Sequence, residues 1–158
     1  MKVILLTVGR TDAGFWNDAT EEYAGRLKHY LTFETVAVPD VKNAKNLTEE
    51  QHKEQEGRLI LNALQAGDYV VLLDERGKEM TSMQFAQFLE KKLHIVQKRL
   101  IFVVGGAFGF SEAVYQRADG QLSMSRMTFS HPMIRAVFTE QLYRAMTILR
   151  GEKYHHGG

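Results

Sequence analysis

Apolar positions along this chain follow two rhythms. Lys2 to Val8 (KVILLTV), Tyr69 to Asp74 and Leu100 to Val104 are short apolar runs rich in leucine and β-branched residues and read as buried strands, and Phe33 to Val38 reads as a strand stopped by Pro39-Asp40. Between Val8 and Phe33, the residues Phe15, Ala19, Tyr23, Leu27 and Tyr30 recur at spacings of three or four, which predicts a helix over 15–31 with one apolar face. Thr48 with Gln51 three residues on forms a capping box for a helix reaching about Ala66, where Gly67-Asp68 stops it. Thr81 or Ser82 opens another helix through about His94, and Ser111 caps a short one with Glu112 in its positive first turn. Residues 40–46 read as a polar loop, 75–78 as a charged turn, and 121–123 as a last short strand. Strands alternating with helices predict an α/β fold, a mostly parallel sheet flanked by helices.

The last predicted helix, Pro132 to Arg150, differs from the others because apolar residues surround nearly its whole circumference. Pro132 suits a first helical turn, where its missing N–H costs nothing. In a chain this small, the simplest way to bury such a helix is to pack one face on the sheet and another on a second copy, giving a two-fold homodimer. A helix wholly inside a monomer would oblige Arg135, Glu140 and Arg144 to find partners in the core.

Length and composition narrow the picture further. A chain of 158 residues, 44% hydrophobic and without a compositional break, predicts a single domain over 1–158. It has neither a long uncharged apolar run nor a basic and apolar start, so no membrane span and no signal peptide are expected. The absence of cysteine excludes disulfides, thiolate metal sites and cysteine nucleophiles, and fits a cytoplasmic protein. A net charge of +1 is far from that of a protein whose whole surface grips nucleic acid. The cations are nevertheless concentrated at the end, where Arg126, Arg135, Arg144, Arg150 and Lys153 face only Glu140 and Glu152.

Candidate chemistry clusters in the last third. Gly105-Gly106-Ala107-Phe108-Gly109 follows a buried strand and could bring bare backbone close to a ligand, yet it matches neither a dinucleotide fingerprint nor a P-loop. Leu73-Asp74-Glu75-Arg76-Gly77-Lys78 should lie beside it, because the carboxyl ends of parallel strands line the ligand crevice. Asp74 and Glu75 are adjacent on an extended chain and point to opposite faces, which argues against a paired-carboxylate site. His131 stands alone and His155-His156 are adjacent, so no metal-ligand spacing is present, and no G-x-S-x-G or S-x-x-K nucleophile occurs.

Taken together, Leu72 to Lys78, Gly105 to Gly109, Leu122-Ser-Met-Ser-Arg-Met-Thr-Phe129, His131-Pro-Met-Ile-Arg135, Glu140-Gln-Leu-Tyr-Arg-Ala145 and Leu149-Arg-Gly-Glu-Lys-Tyr-His155 closely resemble the ribosomal RNA large subunit methyltransferase H family. The resemblance extends over the whole chain. It implies a SPOUT-class methyltransferase with a C-terminal trefoil knot and an obligate homodimer. The implied activity is S-adenosylmethionine-dependent methylation of N3 of a pseudouridine in 23S ribosomal RNA, on the assembled 70S ribosome or its large subunit. By residue-to-residue match, Leu73, Gly105, Met124, Ser125, Arg126, Met127, Thr128 and Phe129 would hold the cofactor, and His131, Arg144, Tyr154 and His155 would carry the chemistry. In that reading Arg144 stabilises the anionic base, Tyr154 and His155 close over it, and His131 or His155 accepts the proton. Two departures stand out: Ser130 precedes His131 where relatives commonly carry proline, and His156 follows the Tyr-His pair where they commonly carry a Lys or Arg. The alternatives are a knotted methyltransferase acting on another nucleotide, such as one in transfer RNA, and a non-catalytic ribosome-binding factor.

Overall fold

The computed structural model describes residues 1–10 and 14–157. A five-stranded sheet in the order β2-β1-β4-β3-β5 forms its centre, from β1 (Lys2–Val8), β2 (Phe33–Val38), β3 (Tyr69–Glu79), β4 (Arg99–Val104) and β5 (Gly120–Ser123). Every strand pair is parallel. The helices are α1 (Phe15–Leu27), α2 (Glu49–Ala63), α3 (Ser82–Ile95), α4 (Glu112–Arg117) and α5 (His131–Leu149), with a single 3₁₀ turn at Ala44–Asn46. Among the described residues, no helix is long and apolar enough to cross a membrane.

Side chains of β4 alternate between two cores, as the pleat requires. Leu100, Phe102 and Val104 face α1, α3 and α5, while Ile101 and Val103 face the layer of α2 and α4. Phe102 meets Phe138 of α5 at a ring separation of 4.7 Å, and Phe85 of α3 packs edge-on to both. Thr48 and Thr81 each close a full capping box, with Gln51 and Gln84, so α2 and α3 begin at residues that satisfy two orphan backbone donors apiece.

Three boundaries differ from the sequence expectation, each for a tertiary reason. The strand β3 continues through the expected charged turn to Glu79, because Lys78 and Glu79 pair with Leu122 and Ser123 of β5. The helix α1 stops at Leu27, and residues 28–31 form a turn from which Tyr30 reaches the Glu152 carboxylate. The helix α2 stops at Ala63, where Asp68 accepts from the Gln65 N–H and fixes the turn.

Leu122 is paired with both Leu73 and Lys78, so the segment between those two bulges out of the pairing with β5. At Gly77 the contact is so close that a Cβ would lie 2.8 Å from the backbone of Gln121 and Leu122. Such close approach of two backbone segments is consistent with the knot that the resemblance implies.

Burial of α5 needs less help than its pattern suggests. Wedged between α1, α3 and the sheet, it buries Ile134, Ala136, Phe138, Leu142, Ala145 and Met146 within one chain. Arg135, only 6% exposed, donates to the carbonyls of Val8 and Gly9 at 3.0 Å each, so the end of β1 receives a guanidinium from this buried helix. A half-buried stripe of Met133, Val137, Gln141, Arg144 and Ile148 is what one chain leaves open on α5.

Candidate functional site

The pairing of β3 with β4 ends at Leu73 and Val104, and there residues 73–76 of β3 and the loop after β4 enclose a cleft of about 460 Å³ with the segment 124–129 and the start of α5. Of the residues assigned by resemblance to a cofactor, Leu73, Gly105, Met124, Ser125, Met127, Thr128 and Phe129 line this cleft. Arg126 does not, and its exposed side chain instead pairs with Glu79 at 3.0 Å. His131, at the first position of α5, lines the cleft as well.

Gly106 shows why the loop is built from glycine. Its N–H donates to the Glu56 carboxylate of α2 at 2.7 Å, and a Cβ on it would lie 2.0 Å from that carboxylate's other oxygen. Glu56 is only 4% exposed, and burial pushes its carboxyl above the usual range despite the Gly106 bond. His52, one turn earlier on α2, approaches Glu56 at 3.6 Å and meets the ring of Phe108 edge-on. The loop is therefore held from behind by a buried acid while Phe108 faces the cleft.

On the opposite wall, Asp74 is buried and accepts from the Tyr115 hydroxyl and from the Arg76 N–H, while the Arg76 guanidinium also donates to Tyr115. Burial and the bond to Asp74 push the Tyr115 phenol upward. This network fixes the turn after Leu73 and leaves Glu75 exposed at the cleft.

Arg144, Tyr154 and His155 form a second constellation. Arg144 donates to Glu140 at 2.6 Å, contacts His155 Nδ1 at 3.1 Å, and lies over the Tyr154 ring at 4.8 Å. The same Glu140 oxygen accepts from the Tyr154 hydroxyl at 2.9 Å. The hydrogen bond to Glu140 raises the Arg144 pKa, and Tyr154 is pushed well upward by burial and by its bonds to Tyr23 and Glu140. Arg144 Nε and His155 Nε2 are buried and have no hydrogen-bond partner among the described residues.

The structure does not bring these two groups together in one chain. His131 opens α5 and Arg144 sits 13 residues later on the same helix, about 20 Å away at the helical rise. Sequence reasoning also passed over Glu140, Glu56 and Tyr115. Glu140 was visible as the i,i+4 partner of Arg144. Glu56 was visible as an acid beside Gly57 on the stripe that leads to Ile60, where a solvated helix would carry an apolar residue. Tyr115 carried no signal, because only the fold places it against Asp74.

The sequence that builds this sheet and cleft has clear relatives. Residues 1–155 match the family described as "Predicted SPOUT methyltransferase". Over 156 residues, 99% of each chain, the protein is 63% identical to the ribosomal RNA large subunit methyltransferase H of Parabacteroides distasonis. It is 55% identical to that of Bacteroides thetaiotaomicron and 54% identical to that of Porphyromonas gingivalis strain W83, over the same lengths. The chain belongs to the SPOUT methyltransferase family and, within it, to the ribosomal RNA large subunit methyltransferase H group.

Proposed function

We propose that this protein methylates N3 of a pseudouridine in 23S ribosomal RNA, using S-adenosylmethionine and acting as a homodimer on the assembled ribosome or large subunit. The observation that carries the reading is the cleft of about 460 Å³ where the pairing of β3 with β4 ends, joined to full-length identity with enzymes named for ribosomal RNA methylation.

The cleft fits the cofactor in size and in chemistry. Its volume lies in the ordinary range for small-molecule sites. The Gly105-Gly106 backbone and the aromatic and methionine side chains of Phe108, Phe110, Met124 and Phe129 suit an adenine and a thioether-like chain. Carboxylates of Glu49, Asp74 and Glu75 at its walls favour a ligand with cationic sulfonium and ammonium groups. Leu73, Gly105, Met124, Ser125, Met127, Thr128 and Phe129 would hold it, and Arg126 would act at the rim. When bound, S-adenosylmethionine supplies an electrophilic methyl group.

The chain's own residues then have to orient the base and manage its charge. N3 of pseudouridine is an imide nitrogen that must lose its proton to become a good nucleophile. His131 lines the cleft and would take that proton, with His155 of the Arg144 cluster as the other imidazole able to do so. Arg144 is held as a cation by Glu140, and its guanidinium would stabilise the imidate that deprotonation leaves on the base. Tyr154 and His155 would close over the base beside it.

The 20 Å between His131 and Arg144 is what favours a dimer. Two copies of α5 crossing through the half-buried stripe of Met133, Val137, Gln141, Arg144 and Ile148 would set the His131 end of one against the tail of the other, as two-fold symmetry allows. Each site would then use the cleft of one chain and the Arg144 cluster of its partner. Glu140 offsets the charge of Arg144 within that cluster, which agrees with a modest net charge and with dependence on the shape of an assembled ribosome more than on phosphate attraction.

The test is transfer of labelled methyl from S-adenosylmethionine to 70S ribosomes, isolated large subunits and naked 23S RNA lacking the modification, with mass mapping of the product. Label on N3 of one pseudouridine in ribosomes or large subunits, and little in naked RNA, is expected. Label on a transfer RNA, or cofactor binding without transfer to any RNA, would overturn the assignment.

A further inference from the structure

A second cleft of about 390 Å³ adjoins the first, and His131 lines both. It lies between the end of β1, the start of α1 and the first turn of α5, and its described walls include Arg10, Phe15, Trp16, Asp40, His131 and Arg135. Arg135 frames it from inside, because its bonds to the Val8 and Gly9 carbonyls fix where the chain leaves β1 and where Arg10 departs.

Two features of this cleft are costly unless a ligand uses them. Phe15 is 72% exposed, the second most exposed large apolar side chain among the described residues after Met127. Its ring lies 4.9 Å from that of the half-buried Trp16, tilted by 50°, so the pair presents an aromatic corner to solvent. Among the described walls the charged groups are the exposed Arg10, the buried Arg135 that is already bonded to the β1 carbonyls, and Asp40, with His131 beside them. Exposed aromatic faces set among guanidinium groups are the chemistry that recognises an unstacked base with its phosphate.

We propose that this second cleft is the nucleotide site of the RNA substrate: Trp16 and Phe15 stack an unpaired base, and Arg10 meets the adjoining phosphate. The inference rests on the methyltransferase reading and extends it, since methyl transfer needs an acceptor cavity open to the cofactor cavity, and His131 stands where the two meet. The exposed guanidinium of Arg10 beside the aromatic pair, and the continuity with the cofactor cleft at His131, commit the site to an RNA strand.

Trp16 is the only tryptophan in the chain, so intrinsic fluorescence reports on this cleft alone. Titration of the full-length protein with a short single-stranded oligonucleotide containing one pseudouridine is expected to quench that fluorescence to saturation, and Phe15→Ala and Arg10→Ala to weaken the binding. An unchanged signal at RNA concentrations that bind by an independent measure overturns the proposal. So does a quench that depends on protein concentration without RNA, which would place the partner chain in the cleft. In transfer assays Trp16→Ala should lower kcat/KM for ribosomes by roughly 5- to 150-fold, the factor that corresponds to about 1–3 kcal/mol per stacked base. Its affinity for S-adenosylmethionine should match wild type by calorimetry, which also certifies the fold, and Trp16→Tyr should restore most of the loss. Equal kcat/KM for Trp16→Ala and wild type overturns the assignment. If wild-type protein methylates no ribosomal substrate, the parent reading fails, while the fluorescence titration still decides whether the cleft takes RNA.

Discussion

Glu56 and Gly106 are 50 residues apart in sequence and share one hydrogen bond of 2.7 Å, from the glycine N–H to a carboxylate that is almost wholly buried. This bond ties the loop after β4 to α2. Because burial raises the Glu56 pKa, the folded chain holds a proton there over an interval in which the unfolded chain has released it. The contribution of Glu56 to stability therefore falls as pH rises from the ordinary carboxylate range through the raised value, and the cost is complete above it. Glu56→Gln keeps an oxygen acceptor for Gly106 and removes the buried charge. It should be at least as stable as wild type at neutral pH, with the advantage shrinking as the pH is lowered, by denaturant melts across pH. Glu56→Ala leaves the Gly106 N–H unsatisfied and should cost about 1–3 kcal/mol at acidic pH, and less at neutral pH, where wild type carries the buried charge.

The same contact makes Gly106 intolerant of any side chain. A Cβ would lie 2.0 Å from a Glu56 oxygen, closer than real atoms approach, so either the loop or α2 must move. Gly106→Ala is expected to lose roughly 1–3 kcal/mol of stability, the usual cost of overpacking. Cofactor affinity should fall tenfold or more, by about 1.4 kcal/mol at the least, as the loop shifts away from the cleft. Calorimetry with S-adenosylmethionine checks this. The double variant Glu56→Ala with Gly106→Ala should recover part of the loss, because it removes the clash.

How much of this was legible in the sequence depends on how local the cause is. The bounds of β1 follow from an apolar run, the end of β2 follows from Pro39-Asp40, and the start of α2 follows from Thr48 and Gln51, because each is decided within a few residues. The extension of β3 to Glu79 was not legible, since its cause is pairing with β5, some 44 residues downstream of Lys78. Arg135 looked like an obstacle to burying α5, because no pattern announces that two backbone carbonyls at the end of β1 will receive it. The distance between His131 and Arg144 was legible from helical rise alone, yet similarity to a family groups residues by role and does not say which chain supplies them. The aromatic corner at Phe15 and Trp16 read as a helix face, because exposure is a property of the assembled fold.

Arg144 links Glu140, Tyr154 and His155, so its loss acts on charge and on shape together. Arg144→Ala is expected to lower turnover by about 100-fold or more, the scale of losing one preorganised donor at a developing anion. The affinity for S-adenosylmethionine should stay within a few-fold of wild type, because Arg144 lines no wall of the cofactor cleft in its own chain and, in the partner's site, is assigned to the base. Arg144→Lys should recover little, since one ammonium cannot reach Glu140 and His155 and also lie over the Tyr154 ring as a planar guanidinium does. Single-turnover methylation with saturating cofactor, beside calorimetry, separates the two effects.

The relation of His131 to Arg144 gives the sharpest test of a shared site. Suppose that each site joins the cleft of one chain to the Arg144 cluster of the other. His131→Ala and Arg144→Ala homodimers are then both inactive, since every site in each lacks one group. A heterodimer of the two has one site with both groups missing and one with both intact. Random mixing after mild unfolding places half of the molecules in heterodimers, so activity should return to about a quarter of the wild-type level. If His131 and Arg144 of the same chain served one site, every site in the mixture would still lack one group and no activity would return. Methyl transfer measured before and after mixing, with a co-purification tag on one variant to prove exchange, distinguishes these outcomes.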